Sequence, residues 1–330
     1  GGSLTVLNSV FQNNNATASV ASVYGGAIAS SGGSLIISNS IFAGNTSKVT
    51  GGAIRINNGD VTISGSTFEE NKAGSYGGAI ASGGNLTISD SIFKNNSNIS
   101  SSAYTADGGA LYISGKALIS NTIFSGNYVS TSSSTDESSA RGGAIYNSNG
   151  TITIIDSSFV NNYVSSDYGY GGAIYNNGGT ISIVARDKDV VFDGNYEKYW
   201  ESEDKTSQAI YIPSGTLNLN AGSNDIIIND VIYSSRGTIN INLAGTSTND
   251  STPNGNFIPQ WAGTTGRVVI NNEMTMFNST VMNIYGGTVK VGAAHTDSLG
   301  NSVNPTVSAG TINLYGGTLD LANGSTDSLS

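Results

Sequence analysis

Cysteine is absent from this 330-residue chain, and with it go disulfides, thiolate metal sites and cysteine nucleophiles. Charge is scarce too, at 11% of residues, and the 13 basic side chains are outnumbered by 23 acidic ones for a formal charge of −10. That balance repels phosphate backbones and anionic lipid, so neither nucleic acid nor an electrostatically held membrane is an expected partner. No stretch approaches the roughly 18 apolar residues a spanning helix needs, so no membrane insertion by this segment is expected. Proline is rare, at 4 residues, against 44 glycines without a Gly-X-Y period, which excludes collagen. Disorder is excluded in turn, because Val, Ile and Leu recur at regular spacing.

What the chain has instead is self-similarity. A Gly-Gly-Ala-Ile/Leu block begins at Gly25, Gly51, Gly77, Gly108, Gly142 and Gly171, and a Phe-x-x-Asn block begins at Phe11, Phe42, Phe68, Phe93, Phe124, Phe159 and Phe192. Between them lie alternating segments such as Leu35-Ile36-Ile37-Ser38, Val61-Thr62-Ile63-Ser64 and Leu86-Thr87-Ile88-Ser89. A period of two means strand, with Leu35, Ile37 and their equivalents inward and Thr62 or Thr87 outward. The step from Gly-Gly to Phe holds at 16 or 17 residues through five units, as from Gly25 to Phe42 and from Gly77 to Phe93. The step from Phe to the next Gly-Gly runs from 9 residues (Phe42 to Gly51) to 18 (Phe124 to Gly142). A fixed arc alternating with a variable one is the pattern of a coil whose insertions all leave at one corner. A unit of about 25 residues fits three short strands and three turns.

The expected fold is therefore all-β, a right-handed parallel β-helix of roughly a dozen rungs, about 55 Å along its axis at strand spacing. The Gly pair lets the chain take positive φ and turn tightly. Phe42, Phe68, Phe93, Phe124 and Phe159 form a column inside the coil. Asn45, Asn71, Asn96, Asn127 and Asn162 are expected in left-handed turn geometry, their amides bonded up and down the stack. Residues 1–206 form the repeat region. Residues 207–330 read as a continuation with divergent rungs, from the altered unit Ser207-Gln208-Ala209-Ile210-Tyr211 through Thr311-Ile312-Asn313-Leu314-Tyr315. Both ends are expected to fall within a longer chain, because residues 1–11 repeat residues 32–42 from the middle of a unit.

The paired Gly-Gly-Ala-Ile/Leu and Phe-x-x-Asn blocks of residues 1–206 resemble the repeats of the chlamydial polymorphic membrane proteins, although the cysteines usual in that family are missing. The resemblance implies a β-helical autotransporter passenger, exported through an outer-membrane barrel elsewhere in a longer chain. Such a passenger lies at the bacterial cell surface, associated with the outer membrane or secreted, and works in adhesion and virulence.

Four tyrosines, Tyr112, Tyr146, Tyr175 and Tyr211, each follow an interior aliphatic residue, which predicts an exposed aromatic ladder for a host glycan or protein. Cross-strand stiffening accounts for the same residues. The variable corner sends out residues 97–107, 128–141, 163–170 and 196–207, carrying Tyr128, Tyr163 and Tyr196 and also Tyr168, Tyr170, Tyr199 and Trp200. Loops on a rigid scaffold commonly carry recognition, and tolerated insertion is the alternative. Trp261 lies in a further insertion, 249–263. Asp187, Asp189, Asp193, Glu197, Glu201, Glu203 and Asp204 interleave with Arg186, Lys188, Lys198 and Lys205. That mixture reads as a solvated charged loop, without Ca²⁺-loop spacing, so no metal or cofactor is expected.

Pectate lyases and polygalacturonases share the fold, but their chemistry needs clustered carboxylates. Asp60, Asp90 and Asp156 instead sit singly at turns, and the one histidine, His295, has no neighbour suggesting a triad. The expectation is a non-enzymatic adhesin; a structural stalk, or a polysaccharide lyase or hydrolase, stands as the alternative.

Overall fold

A computed structural model describes residues 2–17, 24–100, 105–131, 138–199, 202–242, 265–277, 279–308 and 310–320. Every regular element among them is a strand. Three sheets run side by side, a long face of 19 strands, a Phe face of 11 and a corner face of 8, all paired in parallel except the last corner strand, Thr206–Ser207, which runs antiparallel to its neighbour. In the Phe face the strands follow chain order without a crossover, so each pass of the chain lays one strand beside the last. This is a parallel β-helix. Eleven strands in the Phe face mean eleven rungs among the described residues.

Each rung differs from the expected three strands. The long face takes two segments per rung, as in Ile54–Ile56 and Asp60–Ser64. In later rungs these fuse into single strands, Ile174–Ala185 and Ile210–Ala221. Four strand segments therefore cover three faces. The fused strands pair in parallel with each other, and pairing of the same kind carries on to Thr311–Leu314 and Thr318–Asp320. The corner face ends earlier, at Thr206–Ser207.

Register explains the core. Phe11, Phe42, Phe68, Phe93, Phe124, Phe159 and Phe192 are successive Cα partners. Their rings stack at 4.7 to 5.1 Å with interplanar angles of 2 to 13°. The rung repeat of about 4.8 Å dictates this spacing, and each ring from Phe42 onward is buried. Beyond Phe192 the column passes to Ile228, Ile270 and Val291.

The Gly-Gly turns follow from backbone crowding. Gly51 has φ +64°, and a Cβ on Gly52 would lie 2.0 Å from the carbonyl oxygen of Gly78 on the next rung. Only hydrogen fits between rungs there.

The asparagines form a ladder, but not in the expected turn geometry. The left-handed residue is the one before each: Gly44, Glu70, Asn95, Gly126 and Asn161 have φ between 53 and 63°. That reversal turns Asn45, Asn71, Asn96, Asn127 and Asn162 inward, where all are fully buried. Each Nδ2 donates to the Oδ1 of the next rung at 2.9 to 3.0 Å, up to Asn195. The second Nδ2 proton of Asn71, Asn96 and Asn127 goes to the carbonyl of the previous rung's Phe. Asn195 donates in turn to Asp230 Oδ2 at 2.7 Å. A second ladder starts on the long face: Asn313, Asn283, Asn240 and Asn218 each donate Nδ2 back to the preceding rung, ending on Ser182 Oγ.

Candidate functional site

The variable corner builds a ridge. Ser97–Ser100, Tyr128–Thr131, Tyr163–Ser165 and Tyr196–Lys198 are parallel strands of the corner face. Beyond them the chain doubles over into a three-stranded flap, Ala106–Asp107, Ser139–Arg141 and Tyr168–Tyr170. Between corner face and flap lies a second small core of Ala106, Val129, Ala140 and Val164, all buried. Apolar burial thus fixes these excursions as it fixes the coil itself. Tyr128, Tyr163 and Tyr196 stack on the corner face at 4.9 and 5.0 Å, with Lys205 Nζ 4.6 Å from the Tyr196 ring centre. They are half-buried.

The flap corrects the expectation of an exposed ladder at Tyr112, Tyr146, Tyr175 and Tyr211. These residues are in register and stack at 5.3 to 5.5 Å, but Tyr146 is only 3% exposed and Tyr175 7%. Arg141 of the flap lies over both rings, 5.0 and 5.4 Å from their centres, and Tyr170 packs against Tyr175 and Tyr211. Alternation does place these tyrosines outside the coil; a second layer then covers Tyr146 and Tyr175, and Tyr112 and Tyr211 stay half-buried. Burial raises the phenol of Tyr146 well above its ordinary value, that of Tyr211 to about 12, and that of Tyr175 in the same direction.

Arg141 is held in place by a bidentate pair to Asp107, at 2.7 and 2.9 Å. Burial pushes the Asp107 carboxyl up to about 6, with Arg141 opposing. At neutral pH it remains the guanidinium's counter-ion. The stack also runs further than four rungs, to Tyr76 at one end and through Tyr233 to Phe277 at the other. In the sequence the Ile232-Tyr233 dipeptide carries the signal for that extension, without the Gly-Gly-Ala block that marks the other rungs.

What the ridge shows to solvent is its last rung. A cleft of about 310 Å³ opens between Tyr168–Tyr170 and the strand pair Tyr196–Lys198 and Thr206–Ser207. Tyr168 is 48% and Tyr199 66% exposed. Glu197 lines the cleft; burial pushes its carboxyl up to about 7, opposed by a hydrogen bond from Gln208. The Gln208 Oε1 accepts the Gly171 amide, which leaves its Nε2 as the donor to Glu197.

The charged segment is not one loop. Arg186 pairs with Asp187 at 2.8 Å and reaches Asp156 at 3.7 Å, on the far side of the Phe face from the cleft residue Glu197. Asp90 and Asp156 lie at turns as expected, with left-handed backbone, whereas Asp60 opens a strand. His295 lies in a short exposed ribbon with Ser302–Val303. Trp200, Glu201 and Trp261 fall outside the described residues. Among the described residues no group of three His, Asp or Glu side chains is placed to hold a metal ion.

Comparison with protein families finds the Chlamydia polymorphic membrane protein repeat at residues 65–83 and 121–148. The chain carries polymorphic membrane protein repeats. Each matched stretch contains a Phe-x-x-Asn turn, Phe68 to Asn71 or Phe124 to Asn127, and the Gly-Gly-Ala-Ile turn that follows it. What defines the polymorphic membrane protein repeat here is thus the arc through the corner, whether its excursion is short, as after Phe68, or long, as after Phe124. Comparisons with curated proteins and with solved structures give no match.

Proposed function

We propose that this chain is a surface-displayed, non-enzymatic passenger segment of an autotransporter-type bacterial protein, and that its ridge makes adhesive contact with a host glycan or protein. The observation that carries this reading is the second core under the flap. Neutral insertions at a solenoid corner need no packed interior of their own, yet here three successive excursions form ordered strands over Val129 and Val164. Rigid placement of aromatic side chains is what recognition requires of a scaffold.

Host-cell binding and a glycan array test it, comparing the wild type with Tyr168→Ser/Tyr199→Ser and with a variant whose corner excursions after Phe93, Phe124 and Phe159 are cut to the length found after Phe42. Loss of binding in both is expected. Undiminished binding by the shortened solenoid removes the ridge from the account, and no binding by the wild type favours a spacer role. Tyr146 and Tyr175 are unsuitable for this test because their removal perturbs packing.

A further inference from the structure

The flap stops one rung short of the corner face. Its last strand, Tyr168–Tyr170, pairs with Ser139–Arg141 on one side, and no fourth flap strand covers the next rung among the described residues. On the corner face one register position reads Asn98, Val129, Val164, Glu197. The two valines are sealed beneath Ala106 and Ala140. The fourth place in the row holds a carboxylate, whose stem lies against Gly169 at the edge of the flap, and the open cleft lies beside it.

We infer that this cleft binds an organic ammonium cation, with Glu197 as its counter-ion and the rings of Tyr168, Tyr170 and Tyr199 as its wall. Aromatic faces attract cations, most strongly alkylammonium groups that shed water easily. Glu197 forms no ion pair among the described residues. The rim carries Asp167 and Asp204 against a single Lys198, so the local field favours a cation as the net charge does. A neutral sugar would leave the half-buried carboxylate uncompensated, and an anion would be repelled. The raised Glu197 carboxyl is the mark of this missing compensation.

The inference does not depend on the adhesive role, because it is tested with free cations and no cells. Titration calorimetry at pH 8 and constant ionic strength, with tetramethylammonium and butylammonium chloride as probes and a methyl glycoside as the neutral control, is expected to show saturable binding of the cations alone. Glu197→Gln should weaken it at least tenfold and Tyr199→Leu at least threefold, with the circular dichroism of both variants unchanged. Asp187→Asn, outside the cleft, should bind as wild type does. Competition by phosphocholine indicates a choline-bearing surface as the natural source, and competition by Nα-acetyl-lysine amide a protein side chain; either supports the site. No saturable cation binding, or equal affinity in Glu197→Gln, overturns it.

Discussion

Glu70 occupies the left-handed turn position that Gly44, Gly126 and Gly194 fill in sister rungs, with φ +55°. A non-glycine residue pays about 1–2 kcal/mol there. Glu70→Gly is therefore expected to raise stability by about 1 kcal/mol, net of the entropy glycine adds to the unfolded chain, and urea unfolding measures it. At the other end of the ladder, Asp230 is nearly fully buried, and burial lifts its carboxyl to about 6 against the hydrogen bonds from Asn195. A raised acid stabilises the fold below its unfolded value, near 4, and that contribution is lost as pH climbs through about 6. Asp230→Asn keeps the acceptor for Asn195 and can donate to Ser207. It should be more stable than the wild type by about 1–3 kcal/mol at pH 8, with the difference vanishing by pH 4. A wild type more stable than this variant at pH 8 would show that the ladder favours the anion. The ladder itself was legible in the Phe-x-x-Asn spacing, but not which residue turns and which stacks: that depends on a φ value one position upstream of the recurring Asn.

At the scale of elements, the flap is the part that periodicity alone could not give. Strand alternation correctly sends Tyr146 and Tyr175 outward from the coil. Nothing in a period of two says that Arg141, at the end of an insertion just before Gly142, will fold over Tyr146 of the strand that follows and Tyr175 of the next rung. The signals were a lone arginine immediately before Gly142-Gly143 and small residues at Ala106 and Ala140, visible only once the excursions are aligned with one another. Because Asp107 is buried beneath that arginine, Arg141→Leu should cost about 3–5 kcal/mol by stranding a carboxylate. Arg141→Leu/Asp107→Asn should cost less, and thermal unfolding of the two variants tests the order. Tyr175→Ala is expected to cost about 3 kcal/mol as a packing loss. A near-neutral result would mean that the flap lifts readily from the ladder.

Across the whole molecule the rungs are not equivalent. From Phe42 to Phe192 each has a stacked ring, a buried Asn and a corner strand; past Asp230 the corner face and first ladder are gone, and the ring column has become Ile and Val. In a solenoid stability is nearly a sum of rung and nearest-neighbour terms. Hydrogen exchange should accordingly find the slowest amides around Ile152, Ile154 and Phe159, and openings of lower free energy in Val281–Ile284 and Thr311–Leu314. Uniform protection along the axis would mean that the solenoid opens only as one cooperative unit.

The hydrogen-bond valence of the amide column has a consequence for how such coils are punctuated. An amide accepts from one neighbour and gives to the next, so a file of asparagines can be prolonged indefinitely. An ionised carboxylate only receives. Placing an acid where the next asparagine would stand closes the file chemically, and it is at that rung that the sideways strands cease. In sequences built from these units, an aspartate that meets the asparagine file two residues after an aliphatic residue in the Phe column, as Asp230 does after Ile228, should accordingly mark where one style of rung hands over to another.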